Sequence, residues 1–306
     1  MSDYIEGRRA VEEALKAGVP IRKVFLQAPP KPEELAEQDE SRATGRQAGK
    51  QGRKGASASR RARSEKPTGV DAALERVTAK LRRANVPIEL VEKSKLDRMS
   101  ADGGSHGAHQ GIMCEVPPYR YTDIMDIAYA GAKKRDSLVL VLDHITDEGN
   151  LGAIIRTAEV MGADGVVIPS KRAAQVTVGV YKTSAGAAFH VPIARVPNLV
   201  GALKTLKDGG FWVAGASEHA KMDIWHAPLE GRIALVCGNE AEGISRIVME
   251  QCDFTVALPQ RGQVESLNVA QATTAVCYEW LRRVMGREEH EAKSAAKQAG
   301  ESRQGA

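Results

Sequence analysis

The sequence has few aromatic residues and lacks long apolar runs. Aromatic residues make up only 4% of its 306 residues. No apolar run approaches the ~20 residues that a membrane-spanning helix needs. The N-terminal stretch MSDYIEGRRAVEEALKAG is charged and amphipathic, unlike the apolar core of a secretory signal. These absences argue against a membrane partner and predict a cytoplasmic location.

Patterns of metal ligands and disulfides are also absent. The four cysteines, Cys114, Cys237, Cys252 and Cys277, show no CxxC spacing, and the seven histidines show no paired ligand spacing. Cysteines that lie mostly in apolar segments are typical of buried free thiols. We therefore expect free thiols and no metal site.

Two common phosphate-binding signatures are missing as well. No GxGxxG follows a predicted strand, and no GxxxxGK[ST] occurs anywhere in the chain. The first absence argues against an ordinary dinucleotide-binding site, and the second argues against nucleotide hydrolysis.

The residues that are present give a mild basic excess, with a formal net charge of +4. Its distribution is more informative, because 41–66 is rich in Arg, Lys, Gly, Ser and Ala and contains one acidic residue, Glu65. A segment of this composition cannot bury enough surface to offset its ordering entropy. We expect a disordered basic insertion over about 31–68, which is either a solvated linker or an arm that contacts RNA phosphates nonspecifically.

The first part of the chain predicts a small α/β domain over 1–118. A helix over 6–17 and a strand over 21–27 precede the insertion, and a helix over 70–84 and two strands follow it. The double proline and the lysine pair of the next segment indicate a linker over 119–136.

From residue 137 to 286, apolar strands alternate with helices. The predicted strands are SLVLVLDHI, GVVIP, VPIARV, FWVAGAS, IALVCG and FTVALP. Helices are predicted to begin near Asn150, Gln175, Asn198, Ile244 and Ser266. Such strands predict an α/β domain with a buried parallel sheet and helices on both faces. The polar segment 287–306 is expected to be a flexible tail that frays.

Three polar loops in this region each follow a strand. Because the carboxyl ends of parallel strands lie at one edge of a sheet, we expect these loops to converge at a ligand site. Gly238 and Gly243 flank Glu240 and allow tight turns or close approach to a ligand. Ser266 is placed to cap the last helix, and Asn268 can both donate and accept hydrogen bonds.

Arg156 lies on the helix that begins near Asn150. It is roughly 165° from the middle of the apolar stripe of that helix, so we expect it to face away from the core. It is either an ordinary solvated arginine or a functional one at the edge of the sheet.

The loop motifs, taken together, resemble the SpoU (TrmH-like) family of RNA ribose 2′-O-methyltransferases, within the SPOUT class. The motifs are NLGAIIRTAEVMGADGVVIP, LVCGNEAEGISR and LPQRGQVESLNVAQA, and the resemblance covers about 137–286. The portion from YIEGRRAVEEAL to AHQGIMCEV resembles the ribosomal-protein-like substrate-binding domain of the RlmB type, which modifies a guanosine of 23S ribosomal RNA. The basic insertion departs from that pattern.

The resemblance implies a catalytic domain with a deep trefoil knot that works as a homodimer and binds S-adenosylmethionine among the knot loops. By this resemblance, the cofactor contacts fall near Ala216, Gly238, Leu258, Leu267, Ser266 and Asn268. The catalytic positions of the family match Asn150, Arg156, Glu240, Ser266 and Asn268.

The implied reaction moves a methyl group from a sulfonium to a ribose hydroxyl, whose proton must be removed or shared. The family's mechanism makes the arginine, here Arg156, the base. Because guanidinium pKa values exceed ~12, we assign it instead to binding the adjacent phosphate and orienting the hydroxyl. Asn150, Glu240 and Asn268 would position Arg156 and the ribose.

The expected function is therefore S-adenosylmethionine-dependent 2′-O-methylation of a guanosine in 23S ribosomal RNA. One alternative is the same reaction on tRNA or at another ribosomal RNA site. Another alternative is a catalytically inactive RNA-binding or ribosome-assembly protein.

Overall fold

The computed structural model of the chain describes residues 3–29, 69–102, 109–263 and 266–304. Within these residues the strands form two sheets. The predicted basic insertion over 31–68 lies outside the described residues.

The first sheet has four strands in the order β1-β4-β2-β3. Strand β4 is antiparallel to β1 and β2, and β2 is parallel to β3. The strands are β1 (Asp3–Glu6), β2 (Lys23–Gln27), β3 (Ile88–Val91) and β4 (Ile112–Val116). The helices of this part are α1 (Arg8–Lys16), α2 (Gly69–Arg83) and α3 (Lys93–Asp102).

The chain begins with a strand that the sequence analysis did not predict. The helix was expected from residue 6, but it begins at Arg8, after Gly7 with a φ of 89°. Residues Asp3–Glu6 pair with β4 instead, with Ile5 opposite Cys114. In Asp3–Glu6 two adjacent apolar residues lie between two acidic ones, which is not the alternation that identifies a half-buried strand in a sequence.

The second sheet has six parallel strands in the order β10-β8-β9-β5-β6-β7. The strands are β5 (Ser137–Leu142), β6 (Gly165–Pro169), β7 (Ile193–Val196), β8 (Trp212–Ala216), β9 (Arg232–Cys237) and β10 (Phe254–Val256). The helices are α4 (Ile124–Ala132), α5 (Glu148–Val160), α6 (Val178–Thr183), α7 (Leu199–Asp208), α8 (Arg246–Met249) and α9 (Val269–Gln304).

The parallel sheet is covered by helices on both faces, as predicted. Strand β5 is buried along its whole length. Because side chains alternate along a strand, Leu140 belongs to the core on one face, with residues of α5 and α9. Val141 belongs to the core on the other face, with residues of α4 and α7. The α/β fold with a buried parallel sheet is therefore confirmed.

Two segments contain more helix than the sequence analysis predicted. The segment interpreted as a linker contains α4, whose N-terminus is capped by Asp123 through a 2.9 Å bond from Met125 N. Ile127 of this helix is buried. Helix α9 continues past residue 287 to Gln304, where fraying was expected. Helix α4 was missed because prolines and lysines flank its short apolar sequence, and the end of α9 was missed because its residues are mostly polar. The domain boundaries and the trefoil knot stay predictions.

Helix α1 packs against the turn that follows α6. A Cβ on Gly186, whose φ is +88°, would lie 2.3 Å from Glu13 Cβ, so only a glycine fits this contact. Glu13 Oε2 also lies 3.4 Å from His190 Nε2. Tyr119 OH donates to Ala188 O at 3.2 Å. These contacts hold the four-stranded sheet against the six-stranded one.

All four cysteines are free thiols, as predicted. Burial raises the pKa of Cys114 to about 12. The described residues contain no group of His, Cys, Asp and Glu able to hold a metal ion. Among the helices that the structure describes, none combines the length and the apolar character needed to cross a membrane.

The packing of α5 on α6 can be tested by a substitution at Gly152. A Cβ at this position would lie 1.9 Å from Thr183 Oγ1 and 2.8 Å from the backbone nitrogen of Ser184. We expect Gly152→Ala to lower the free energy of unfolding by ~1–3 kcal/mol through overpacking, measured by urea denaturation. The matched control is Gly201→Ala in α7, where a Cβ meets nothing within 4 Å. Equal stability of the two variants would contradict this packing.

Candidate active site

Three side chains from three separate loops form one hydrogen-bonded group at the carboxyl edge of the parallel sheet. Asn268 Nδ2 donates to Glu240 Oε1 at 2.6 Å and to Asn150 Oδ1 at 2.8 Å. Asn150 Nδ2 donates to the same Glu240 oxygen at 3.1 Å, and Val269 N lies 3.3 Å from it. The predicted convergence of the three loops is present in the structure. We call Asn150, Glu240 and Asn268 the three-loop cluster.

Asn150 is positioned by the start of α5. Asp147 caps this helix, because its Oδ1 accepts a 2.7 Å bond from Asn150 N. The sequence analysis did not single out Asp147. An Asp three residues before a polar position at a helix start is a capping signal that could have identified it.

Asn268 is both a member of the cluster and the cap of α9. Its Oδ1 accepts from Ala270 N at 3.0 Å and from Gln271 N at 3.4 Å, while its Nδ2 donates to the cluster. The predicted cap, Ser266, is therefore replaced by Asn268. The reason is that α9 begins at Val269, and a cap is the residue immediately before the helix.

Glu240 lies at the tip of a closed turn. Asn239 and Gly243 exchange two backbone hydrogen bonds, of 3.1 and 2.8 Å, and Gly243 has a φ of +67°. Asn239 Nδ2 also donates to His144 O at 2.9 Å, which ties the turn to the loop after β5. Asn239 is a positioning residue that sequence reasoning missed, since no spacing pattern distinguishes it.

A cavity of about 260 Å³ lies beside the cluster, where the adjacent strands β10, β8 and β9 end. Five of the six predicted cofactor positions line it: Ala216, Gly238, Leu258, Ser266 and Leu267. Asn268 is not among its lining residues, although its neighbours are. Ser217, Glu218 and His219 also line the cavity, and the sequence analysis did not predict them.

Cys237 forms part of the inner wall of this cavity. Burial raises the pKa of its thiol to about 11, although a hydrogen bond from Thr273 opposes that shift. Thr273 Oγ1 lies 3.2 Å from the sulfur. A thiol with its pKa raised in this way is mainly protonated at neutral pH and is a poor nucleophile.

Arg156 is exposed, as predicted, and lies outside the cluster. It follows Asn150 by six residues, which is about 9 Å along the helix axis. Within the part of the chain that the structure describes, no hydrogen bond or ion pair holds its guanidinium. The next residue, Thr157, contacts Thr274 of α9 at 2.7 Å between their hydroxyl oxygens. Arg156 therefore lies beside the contact between α5 and α9, where its guanidinium can bind an anion.

Comparison with known proteins gives two family matches. Residues 137–278 match the SpoU rRNA Methylase family, and residues 4–46 and 66–122 match the domain described as RNA 2′-O ribose methyltransferase substrate binding. A Staphylococcus aureus protein assigned to the TrmH family of tRNA/rRNA methyltransferases is 34% identical over 280 residues, which cover 91% of this chain and 95% of that protein. The chain belongs to the SpoU rRNA methylase family.

Two further relatives agree with this assignment. YacO of Bacillus subtilis, assigned to the same TrmH family, is 39% identical over 203 residues, which cover 66% of this chain and 80% of YacO. The crystal structure of the SpoU methyltransferase AviRb from Streptomyces viridochromogenes, in complex with AdoMet, superposes with a TM-score of 0.66 at 22% identity. That match covers 93% of this chain and 91% of AviRb, and it shows a shared fold.

SpoU methylases are RNA 2′-O-ribose methyltransferases that use S-adenosylmethionine as methyl donor. The cavity fits such a ligand in its chemistry, because its lining combines apolar side chains, among them Leu258 and Val276, with polar groups such as Ser266 and Gln260. Its volume is close to the lower limit of ~300 Å³ for ligand pockets. A Cβ on Gly238 would lie 2.1 Å from the carbonyl carbon of Gly243. A side chain there would force apart the turn that forms this wall.

Asn268 and Asn198 provide a matched pair for testing the cluster. Both cap a helix, since Asn198 Oδ1 accepts from Val200 N at 2.9 Å, but only Asn268 bonds to Glu240. We expect each alanine variant to lose ~1 kcal/mol of stability through the lost cap, measured by urea denaturation. Only Asn268→Ala should also weaken S-adenosylmethionine binding, measured by calorimetry, because it frees Glu240 and the start of α9. Equal affinity of the two variants would contradict the role of the cluster in shaping the cavity.

Proposed function

We propose that this SpoU methylase methylates the ribose 2′-hydroxyl of a guanosine in 23S ribosomal RNA. The observation that carries the proposal is the three-loop cluster beside the cavity, in which Asn150, Glu240 and Asn268 are joined by hydrogen bonds. These polar groups could orient a ribose, and they lie beside a cavity lined by five of the positions predicted to contact the methyl donor.

The cavity would hold S-adenosylmethionine, which supplies an electrophilic methyl group on a sulfonium. Ala216, Gly238 and Leu258, at the ends of three adjacent strands, would contact it, together with Ser266 and Leu267. Asn268 would act from the edge of the cavity, by fixing the start of α9.

Arg156 would bind the RNA phosphate next to the target ribose and orient the hydroxyl. Its support is the exposed guanidinium, which no carboxylate of the described residues neutralises. A planar guanidinium suits a phosphate because it can donate two parallel hydrogen bonds. Asn150, Glu240 and Asn268 would position the ribose against it.

Ribosomal RNA is the favoured substrate because the chain carries the substrate-binding domain in addition to the methylase domain. A tRNA substrate is the second candidate, because YacO and the Staphylococcus aureus relative are assigned to a family of tRNA and rRNA methyltransferases. The intact three-loop cluster argues against an inactive RNA-binding protein. Like the substrate, the cytoplasmic location stays a prediction.

A homodimer would form through the outer face of α5 and α9. These helices run side by side in the same direction, since Asn150 meets Asn268 and Thr157 meets Thr274. Val160 and Tyr278 follow that second contact by three and four residues, and they are 61% and 53% exposed. Met285, one heptad after Tyr278, is 52% exposed. An apolar patch of this kind is typical of an interface.

Arg156→Ala should leave the affinity for S-adenosylmethionine near wild type but reduce methyl transfer by ~100-fold or more, because a preorganised charged contact in the reaction is lost. Calorimetry measures the affinity, and transfer of labelled methyl groups to 23S ribosomal RNA or tRNA transcripts measures the reaction. The control is Lys204→Ala, which removes an exposed cation from α7.

Methyl transfer by Arg156→Ala at a rate comparable to wild type would show that the role assigned to Arg156 is wrong. Mapping 2′-O-methyl groups on the two RNA classes decides between the substrates. A mark found only in tRNA would overturn the ribosomal RNA assignment while leaving the reaction itself in place.

Tyr278→Glu should shift the protein from dimer to monomer, because it places a charge in the proposed apolar interface. Sedimentation equilibrium measures the mass. The matched control is Leu90→Glu, which adds the same charge at a residue of β3 that is 61% exposed. A wild-type protein that sediments as a monomer, or a Tyr278→Glu variant that remains a dimer, would contradict this interface.

A further inference from the structure

A second charged cavity lies between α1 and α2, on the four-stranded-sheet side of the molecule. Its volume is about 360 Å³, and it is lined by Arg8, Arg9, Glu12, Arg76, Val77 and Lys80. Four cationic side chains thus surround one carboxylate. We call this cavity the α1–α2 cleft.

The carboxylate of the cleft is already paired. Glu12 Oε1 lies 2.5 Å from Lys80 Nζ and 3.8 Å from Lys16 Nζ. It therefore cannot also neutralise the arginines. Within the described residues, Arg9 and Arg76 have no hydrogen bond or ion pair, and both are exposed. The cleft retains uncompensated positive charge.

Helix α2 carries a row of cations on one face, which begins in the cleft. Arg76, Lys80 and Arg83 are spaced by four and three residues, which puts them on one face of the helix. Val77, next to Arg76, is buried in the core and holds the helix in place. Like charges at such spacing repel one another, and a bound anion would relieve that repulsion.

Arg8 lies at the edge of the cleft and is held in place by Gln110. Its Nε donates to Gln110 O at 3.0 Å, and its backbone nitrogen donates to Gln110 Oε1 at 3.3 Å. Gln110 has a φ of 50°, a left-handed conformation that is uncommon for a residue with a side chain. These bonds join the start of α1 to the loop before β4. The cations of the cleft therefore belong to two helices, α1 and α2, of which α1 is held in place.

We propose that the α1–α2 cleft binds backbone phosphates of the RNA substrate. The inference rests on the proposed function and goes beyond it by assigning a phosphate site that is separate from Arg156. RNA is the favoured polyanion because both α1 and α2 belong to the segments that match the substrate-binding domain. Arginine side chains also match phosphate geometry.

The cleft is held in a fixed position relative to the three-loop cluster. Glu13, one turn after Arg9 on α1, packs on Gly186 and faces His190. Gly186 follows α6, and α6 packs on α5 through the close contact of Gly152 with Thr183. Helix α5 in turn carries Asn150. Phosphates bound in the cleft would therefore lie at a set distance from the target ribose, which selects RNAs with a matching shape.

The test compares a double variant of the cleft with a matched double variant. Arg9→Ala with Arg76→Ala removes two unpaired cations from the cleft. Arg82→Ala with Arg98→Ala removes two exposed arginines of the same domain that do not line it. The probes are a 23S ribosomal RNA transcript and a tRNA transcript, with affinity measured across a salt series by filter binding. Thermal unfolding and S-adenosylmethionine affinity serve as folding controls.

We expect the cleft variant to bind its RNA about tenfold more weakly than the control variant at ~50 mM salt, with the slope of log affinity against log salt reduced by about two. Replacing the same arginines by lysine should restore most of the slope. S-adenosylmethionine affinity should be unchanged in every variant.

An unchanged affinity and slope in the cleft variant, alongside normal RNA methylation by the wild-type protein, would overturn this inference and leave the proposed function standing. A wild-type protein that neither binds nor methylates RNA would overturn both. Loss of binding to phosphatidylglycerol vesicles without loss of RNA binding would show that the cleft serves a lipid surface, and would also overturn the inference.

Discussion

One carboxylate oxygen holds the methylase site together. Glu240 Oε1 accepts from the side chains of Asn150 and Asn268 and lies 3.3 Å from the backbone nitrogen of Val269, the first residue of α9. A negative charge at this position also interacts favourably with the positive end of a helix dipole. This oxygen joins the loops after β5, β9 and β10 at one point, and the bond from Asn239 Nδ2 to His144 O is a second link between the first two loops. The candidate cavity beside the three-loop cluster is lined by residues of the loops after β9 and β10, and also by Ser217 and His219 of the loop after β8.

The parallel sheet and the three-loop cluster were predictable because their signals are local and strong. Strand GVVIP was predicted with the bounds that the structure has, Gly165–Pro169, because a short apolar run between polar loops has few other interpretations. The three loops were expected to converge because each follows a strand and parallel strands end at one edge, and the resemblance to the SpoU family then singled out Asn150, Glu240 and Asn268. Only their hydrogen bonds required coordinates.

The remainder could not be predicted because it depends on tertiary contacts. Strand β1 is defined by its pairing with β4, and its sequence DYIE does not alternate between apolar and polar residues. Helix α4 lies in a segment whose prolines and lysines resemble a connection, yet Ile127 is buried under the sheet. Ser266 and Asn268 are both good capping residues, and only the observed start of α9 decides between them. The α1–α2 cleft is formed by two helices that the basic insertion separates in the sequence.

The placement of α9 has a consequence for when the enzyme can become active. Glu240 and Asn268 are 28 residues apart, and Asn150 and Asn268 are 118 residues apart. A nascent chain can therefore form most of the parallel sheet before the residues that complete the pocket have left the ribosome. Binding of the methyl donor then waits for the last helix to dock. Docking of α9 thus completes the core and the candidate site together, because a chain that stops before α9 would lack the core residues Val276 and Trp280 as well as Asn268.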